Sequence, residues 1–136
     1  MENVQEILSE VMKQVYKEYT GMVEIEKLTR ELEDALNRSD RKAAELILEM
    51  RQKEMDSISQ VKQAIGEFLR SMDADLQEDV KCMLQGELPR RQTGPEAEKI
   101  SSISRQRNNM LKNICARDRI LSRRVAGEDS YYNYNE

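Results

Sequence analysis

The chain has no histidine, no tryptophan, one phenylalanine, two cysteines, two prolines and five glycines in 136 residues. Each scarcity excludes something. Without histidine, the commonest general base and the commonest metal ligand are gone. A His/Cys zinc site and a Ser–His or Cys–His nucleophile are therefore ruled out. Cys82 and Cys115 are too few for a zinc cluster and fall on different predicted helices. They read as small buried residues that stay reduced. So little glycine and proline leaves few places for tight turns. Valine, isoleucine, threonine and the aromatics nowhere form an alternating run, so no strand is predicted. There is no glycine-rich phosphate loop, no CxxC pair and no EF-hand loop. Acidic neighbours such as Glu33/Asp34 and Glu78/Asp79 diverge by about 100° around a helix and make no metal site. The sequence predicts no enzyme, no metal and no cofactor.

No apolar stretch approaches the roughly 18 residues that span a bilayer. The opening MENVQEILSEVMKQVYKEYT is acidic and periodic, without the basic and apolar regions of a signal peptide. A soluble, cytoplasmic protein is the expectation. What the chain does have is charge, 35% against 4% aromatic. That balance suits long amphipathic helices and coiled coils.

Apolar residues recur at Val4, Leu8, Val11, Val15, Met22, Ile25, Leu32 and Leu36. Their three- and four-residue spacing predicts one helix over about 4–36. Glu18 and Thr29 are polar positions on that stripe, with Tyr19 and Leu28 beside them to fill the gap. Gly21 is the weak point, since a mid-helix glycine costs about 1 kcal/mol against alanine. NRSD at 37–40 breaks the pattern. Asn37 suits a left-handed cap, and Ser39 or Asp40 can cap the next helix. A second helix is predicted over about 40–85 through Ala44, Leu48, Met55, Ile58, Val61, Ile65, Phe68/Leu69 and Met72. It continues through Leu76, Val80 and Met83/Leu84 to a stop at Gly86, and the acidic DADLQED at 73–79 is the point that could loosen or restart it. GELPRRQTGP at 86–95 reads as the main loop and the least ordered internal segment. A third helix is predicted over about 96–126, with Gly127 as its stop. Its stripe of Ile100, Ile103, Met110/Leu111, Ile114, Leu121 and Val125 is thin. Arg107 interrupts it, and Arg117 or Asp118 falls where another apolar residue is due.

The expected fold is all-α, an antiparallel bundle or coiled coil of three long helices. It occupies one domain over 1–127, followed by a flexible tyrosine-containing tail, 128–136. The tail EDSYYNYNE is too poor in apolar residues to order itself. It reads as a solubilising end or as a docking motif, tyrosine being a large anchor of low entropy cost. The eight methionines fill a narrow core or form an adaptable surface. Charge is unevenly spread: −5 over residues 1–40 and −3 over 41–88, against +6 over 97–126. Three readings fit the basic third helix: internal neutralisation by the acidic helices, an acidic or amphipathic protein partner, or nucleic acid. Nucleic acid is the weakest, because the pI is about 5.1 and no aromatics are interleaved for stacking.

RELEDALNRSDRKAAELILEMRQKEMDSI (30–58) resembles the first hairpin of flagellar type III export chaperones of the FlgN and FliT kind. Those hairpins carry leucines, a short turn ending in aspartate, then a helix with arginine or lysine. Asp40, Arg51 and Gln52 stand at these places. RDRILSRRVAGEDSYYN (117–133) is similar to the end of FlgN-like chains, where a leucine-bearing helix leads into a short tyrosine-containing tail. The resemblance implies a cytoplasmic chaperone without catalytic activity. It would bind helical C-terminal segments of hook–filament junction or filament-cap subunits and deliver them to the export apparatus. Such a role requires a bundle with one unsatisfied apolar groove that a partner helix completes. On this reading Ile103, Arg107, Met110, Leu111, Ile114 and Leu121 line the groove. Tyr131, Tyr132 and Tyr134 contact an export gate component. The rival expectation is a structural coiled-coil subunit that self-associates, and a weaker one is a nucleic-acid-binding regulator. Monomer and homodimer both fit, since long helices pair within or between chains.

Overall fold

The computed structural model describes the backbone of residues 3–135 and the side chains of residues 3–124. It has four helices: α1 (Val4–Asn37), α2 (Arg41–Arg70), α3 (Ala74–Leu84) and α4 (Pro95–Asn135). The described residues form no strand, and none of their helices is long and apolar enough to cross a membrane.

α1 opens on Asn3, whose side chain accepts a hydrogen bond from the Glu6 amide at 2.8 Å and so satisfies one of the free amides of the first turn. The expected stripe is buried at Leu8, Val11, Val15, Met22, Ile25 and Leu32, while Val4 stays exposed. α1 is the central helix. α2 returns antiparallel along one side of it, and α4 runs parallel along the other. The core clusters give the register: Ile65 with Val15, Ile58 with Met22, and Ala44 with Leu32 on the α2 side. Ile100, Ile114 and Leu121 climb α1 in the same order on the α4 side. α1 is continuous through Gly21, where a β-carbon would lie 2.8 Å from Ile58 Cγ1. The missing side chain is what lets α2 sit this close. Thr29 is fully buried and donates its hydroxyl proton to the Ile25 carbonyl at 2.7 Å.

At the first turn the left-handed residue is Ser39 (φ 56°), not Asn37, which is the last residue of α1. Asp40 then caps α2, accepting from the Ala43 amide at 3.1 Å. The expected stripe of α2 needs one correction. Ile47 and Leu48 are adjacent, so only one can face α1. Ile47 packs against Leu28, Leu32 and Ala35, leaving Leu48 46% exposed and bringing Arg51 into the buried face.

The predicted second helix, 40–85, is two helices. α2 ends at Arg70, Ser71 Oγ donates to the Phe68 carbonyl, and Asp73 caps α3 by accepting from the Leu76 amide at 2.9 Å. The reason lies in α1. With Ile65 level with Val15, a continued α2 would bring Leu76 only level with the start of α1 at Val4 and carry Val80 and Met83 past it into water. The break folds them back into the largest core cluster, with Leu8, Val11, Val15, Ala97 and Ile100. Burying such side chains is worth about 1.5–3 kcal/mol each, more than enough to offset an aspartate-rich turn.

Gly86 (φ 90°) stops α3 as expected. The 86–94 loop is tied down rather than free. Arg91 Nε donates to Asp79 Oδ1 at 3.1 Å and Nη2 to Glu78 Oε2 at 3.1 Å, and Asp75 lies 3.3 Å from Nη1. The Asp79 hydrogen bond, followed by the Glu78 one, raises the Arg91 pKa above its ordinary value. α4 starts at Pro95, a residue suited to the first helical position. Its helical backbone continues through Gly127 to Asn135, correcting both the expected stop and the expected flexible tail. A helical glycine costs only about 1 kcal/mol, too little to end so long a helix by itself. The side chains of Val125, Tyr131, Tyr132 and Tyr134 lie outside the described residues.

Candidate partner-binding groove

α4 carries two seams. Ile100, Arg107, Ile114 and Leu121 recur every seven residues and face α1. A second seam lies about a quarter turn away and alternates spacings of four and three. It begins with Ala97, Ser101 and Ser104, all buried to 1% or less exposure, where α3 packs on α4. Small side chains permit that close approach, although the Ser101 and Ser104 hydroxyls find no hydrogen-bond partner. The same seam continues as Asn108, Leu111, Cys115, Asp118 and Ser122, but α3 has ended. Here Asn108 is half-buried, Leu111 is 37% exposed, and Cys115 and Ser122 are exposed.

α2 has a matching seam, read backwards as Gly66, Lys62, Ser59, Met55, Gln52 and Leu48. Its later part is likewise uncovered, Met55 being half-buried and Leu48 exposed. α2 and α4 both mate with α1 and stand apart from each other, like two corners of a square beside a third. α3 fills the fourth corner over three turns. Beyond it the corner is empty for the length of residues 108–122 on α4, about 22 Å at 1.5 Å per residue.

A cleft of about 230 Å³ marks where the filled part ends. Glu18 and Met22 form its floor, Lys62 and Ile65 one wall, Arg107, Asn108 and Leu111 the other, with Leu84 of α3 at its end. Glu18 is 1% exposed, and its carboxylate accepts from Arg107 Nη1 at 2.6 Å. Arg107 also donates from Nη2 to the Leu84 carbonyl and from Nε to Asn108 Oδ1 at 3.1 Å. One guanidinium thus ties α4 to α1 and to the end of α3. Further along, Arg51 spans the gap from α2, donating Nη2 to Asp118 Oδ1 at 2.7 Å and Oδ2 at 2.9 Å. This strut holds the two walls apart at a set width.

The six predicted groove residues separate into three kinds. Ile114 and Leu121 are buried against α1, and Ile103 and Met110 are half-buried against the same core. Arg107 is spent on internal bonds. Leu111 alone stands on the open rim. The α2 wall, Met55 and Lys62, and the α3 end at Leu84 were missed by a reading confined to the third helix. Their seams are mostly polar or small residues and carry no apolar periodicity that could have marked them. Internal charge pairing is partly as expected. Glu18–Arg107 and the looser Glu26–Arg117 contact (3.9 Å) join acid on α1 to base on α4, but Arg51–Asp118 runs the other way.

A larger cleft, about 600 Å³, lies between α1 and α2 around Gly21. Lys17, Glu24 and Glu54 line it. It is a furrow of mixed polar and apolar lining between two helices already mated. Among the described residues no group of three or more Cys, Asp or Glu side chains is placed to hold a metal ion. No protein-family model, characterised protein or solved structure matches this chain.

Proposed function

We propose that this protein is a cytoplasmic flagellar export chaperone of the FlgN and FliT kind, favouring FlgN, without catalytic activity. In this role it binds helical C-terminal segments of hook–filament junction or filament-cap subunits and delivers them to the export apparatus. The observation that carries the reading is the fourth corner of the bundle, filled by α3 for three turns and open beyond it. An amphipathic helix stacked end to end with α3 completes the bundle by covering the exposed Leu48 and Leu111 and the outer part of Met55, which is half-buried against the core. The resemblance of 30–58 and 117–133 to such chaperones supports the choice of cargo. Tyr131, Tyr132 and Tyr134 are the proposed contact with the export gate.

Co-purification from the source organism tests this, comparing the full chain with one ending at Gly127. Recovery of junction or cap subunits with both forms supports cargo binding by the groove. Loss of an export component from the short form alone assigns the tyrosines to docking. Absence of any axial subunit from both forms refutes the proposal. The same open corner also accepts a helix of a second copy, which is the structural coiled-coil reading. Sedimentation separates the two, since a concentration-dependent dimer that no cargo helix dissolves favours self-association.

A further inference from the structure

The α4 edge of the open corner is a row of bases, whereas the α2 edge is mixed in charge. On α4, Arg105, Lys112 and Arg119 each precede a second-seam residue by three positions, which sets them on its outer side. Arg123 follows Arg119 by one turn. All four are exposed, and none makes a salt bridge with a described residue. The stem of Arg105 lies beside Gly86. On α2 the equivalent outer positions, three before Gln52 and Ser59, are Glu49 and Asp56, but Lys53 follows Glu49 by one turn and Lys62 stands on the same wall, all four exposed, so this edge is mixed. Asp56 accepts only from Gln52, at 2.9 Å.

We infer that the occupant of this groove is an amphipathic helix whose edge toward α4 is acidic. This inference rests on the helix-binding reading above and adds the partner's chemistry to it. In helical bundles these flanking positions choose the partner and its orientation through charge. A row of unpaired bases seven residues apart matches acids at the same period on a facing helix. A phosphate backbone fits worse, because the chain as a whole is acidic, with a net charge of −4.

The test uses the full chain and two synthetic helices, each with the same leucine stripe. One has glutamate along one edge and lysine along the other, and the second has lysine along both. Binding is read by fluorescence anisotropy on the wild-type chain and on the Lys112→Glu/Arg119→Glu double variant. Both side chains are exposed and unpaired, so circular dichroism melting should be unchanged. The split-edge peptide should bind the wild type and lose about tenfold in affinity on the variant, two exposed pairs being turned into repulsions. The all-lysine peptide should show the opposite preference. Peptides that bind with affinities indifferent to the reversal overturn the edge assignment while leaving helix binding intact. If neither peptide binds the wild type, the helix-binding reading falls, and this inference with it. A DNA duplex that binds the wild type more tightly than either peptide, and is lost on reversal, assigns the basic row to nucleic acid instead. A self-associated chain that the peptides dissociate makes a second copy the natural occupant, and this too overturns the inference.

Discussion

Replacing Arg107 with methionine should unfold this bundle more readily than any other single change at the groove. The substitution keeps the aliphatic bulk but strands the Glu18 carboxylate, which is 1% exposed and bonded to Arg107 Nη1 at 2.6 Å. An ionised carboxylate left unpaired in such a place costs about 3–5 kcal/mol. The arginine side chain is 12% exposed, so water reaches the edge of the pair and the lower end, about 3 kcal/mol, is the better figure. The Leu84 carbonyl also loses a donor but lies at a helix end, where water can replace it. Replacing both partners, Glu18→Leu with Arg107→Met, removes the charge and its counter-ion together. The double variant should recover to within about 1 kcal/mol of the wild type or exceed it. Urea unfolding followed by circular dichroism measures all four corners of this cycle. A cost below about 1 kcal/mol for Arg107→Met, or a double variant no better than the sum of its parts, would refute a buried, mutually dependent pair.

Gly21→Ala should destabilise by about 1–2 kcal/mol despite alanine's better helix propensity, because its β-carbon meets Ile58 at 2.8 Å; a rise in Tm would show that α2 can shift to admit it. Ser101→Ala and Ser104→Ala should each be neutral or stabilise by up to about 1 kcal/mol, since each hydroxyl is buried without a partner and its desolvation is uncompensated; chemical denaturation reads this directly. Met83→Ala should cost about 2–5 kcal/mol, because Met83 is fully buried in the cluster that α3 closes. Its hydrogen exchange should show α3 opening ahead of α1. Leu111→Glu together with Leu48→Glu, both exposed, should leave the melting temperature within a few degrees of wild type yet abolish cargo recovery in co-purification. Retained cargo would move the binding site elsewhere on the bundle.

The sequence by itself determined the all-helical class, α1 and its main buried face. The spacing of Leu8 to Leu32 could make only one amphipathic helix, and Asp40 and Gly86 marked boundaries through capping and left-handed geometry, which act over a few residues. The tertiary structure decided what depended on lengths and partners. α2 stops at Arg70 about two turns short of the start of α1, and α3 folds back onto the shared core, a fact local to neither segment. The choice of Ile47 over Leu48 came from what α1 presents opposite them, since both are equally apolar. Glu18 and Arg107 looked like flaws in two separate stripes, and proximity made them one bond across 89 positions. The groove was legible only in half. Leu111 and the thin α4 stripe pointed to it, but an open corner is a property of where three helices leave space and a fourth runs out. No single helix carries that information in its own periodicity.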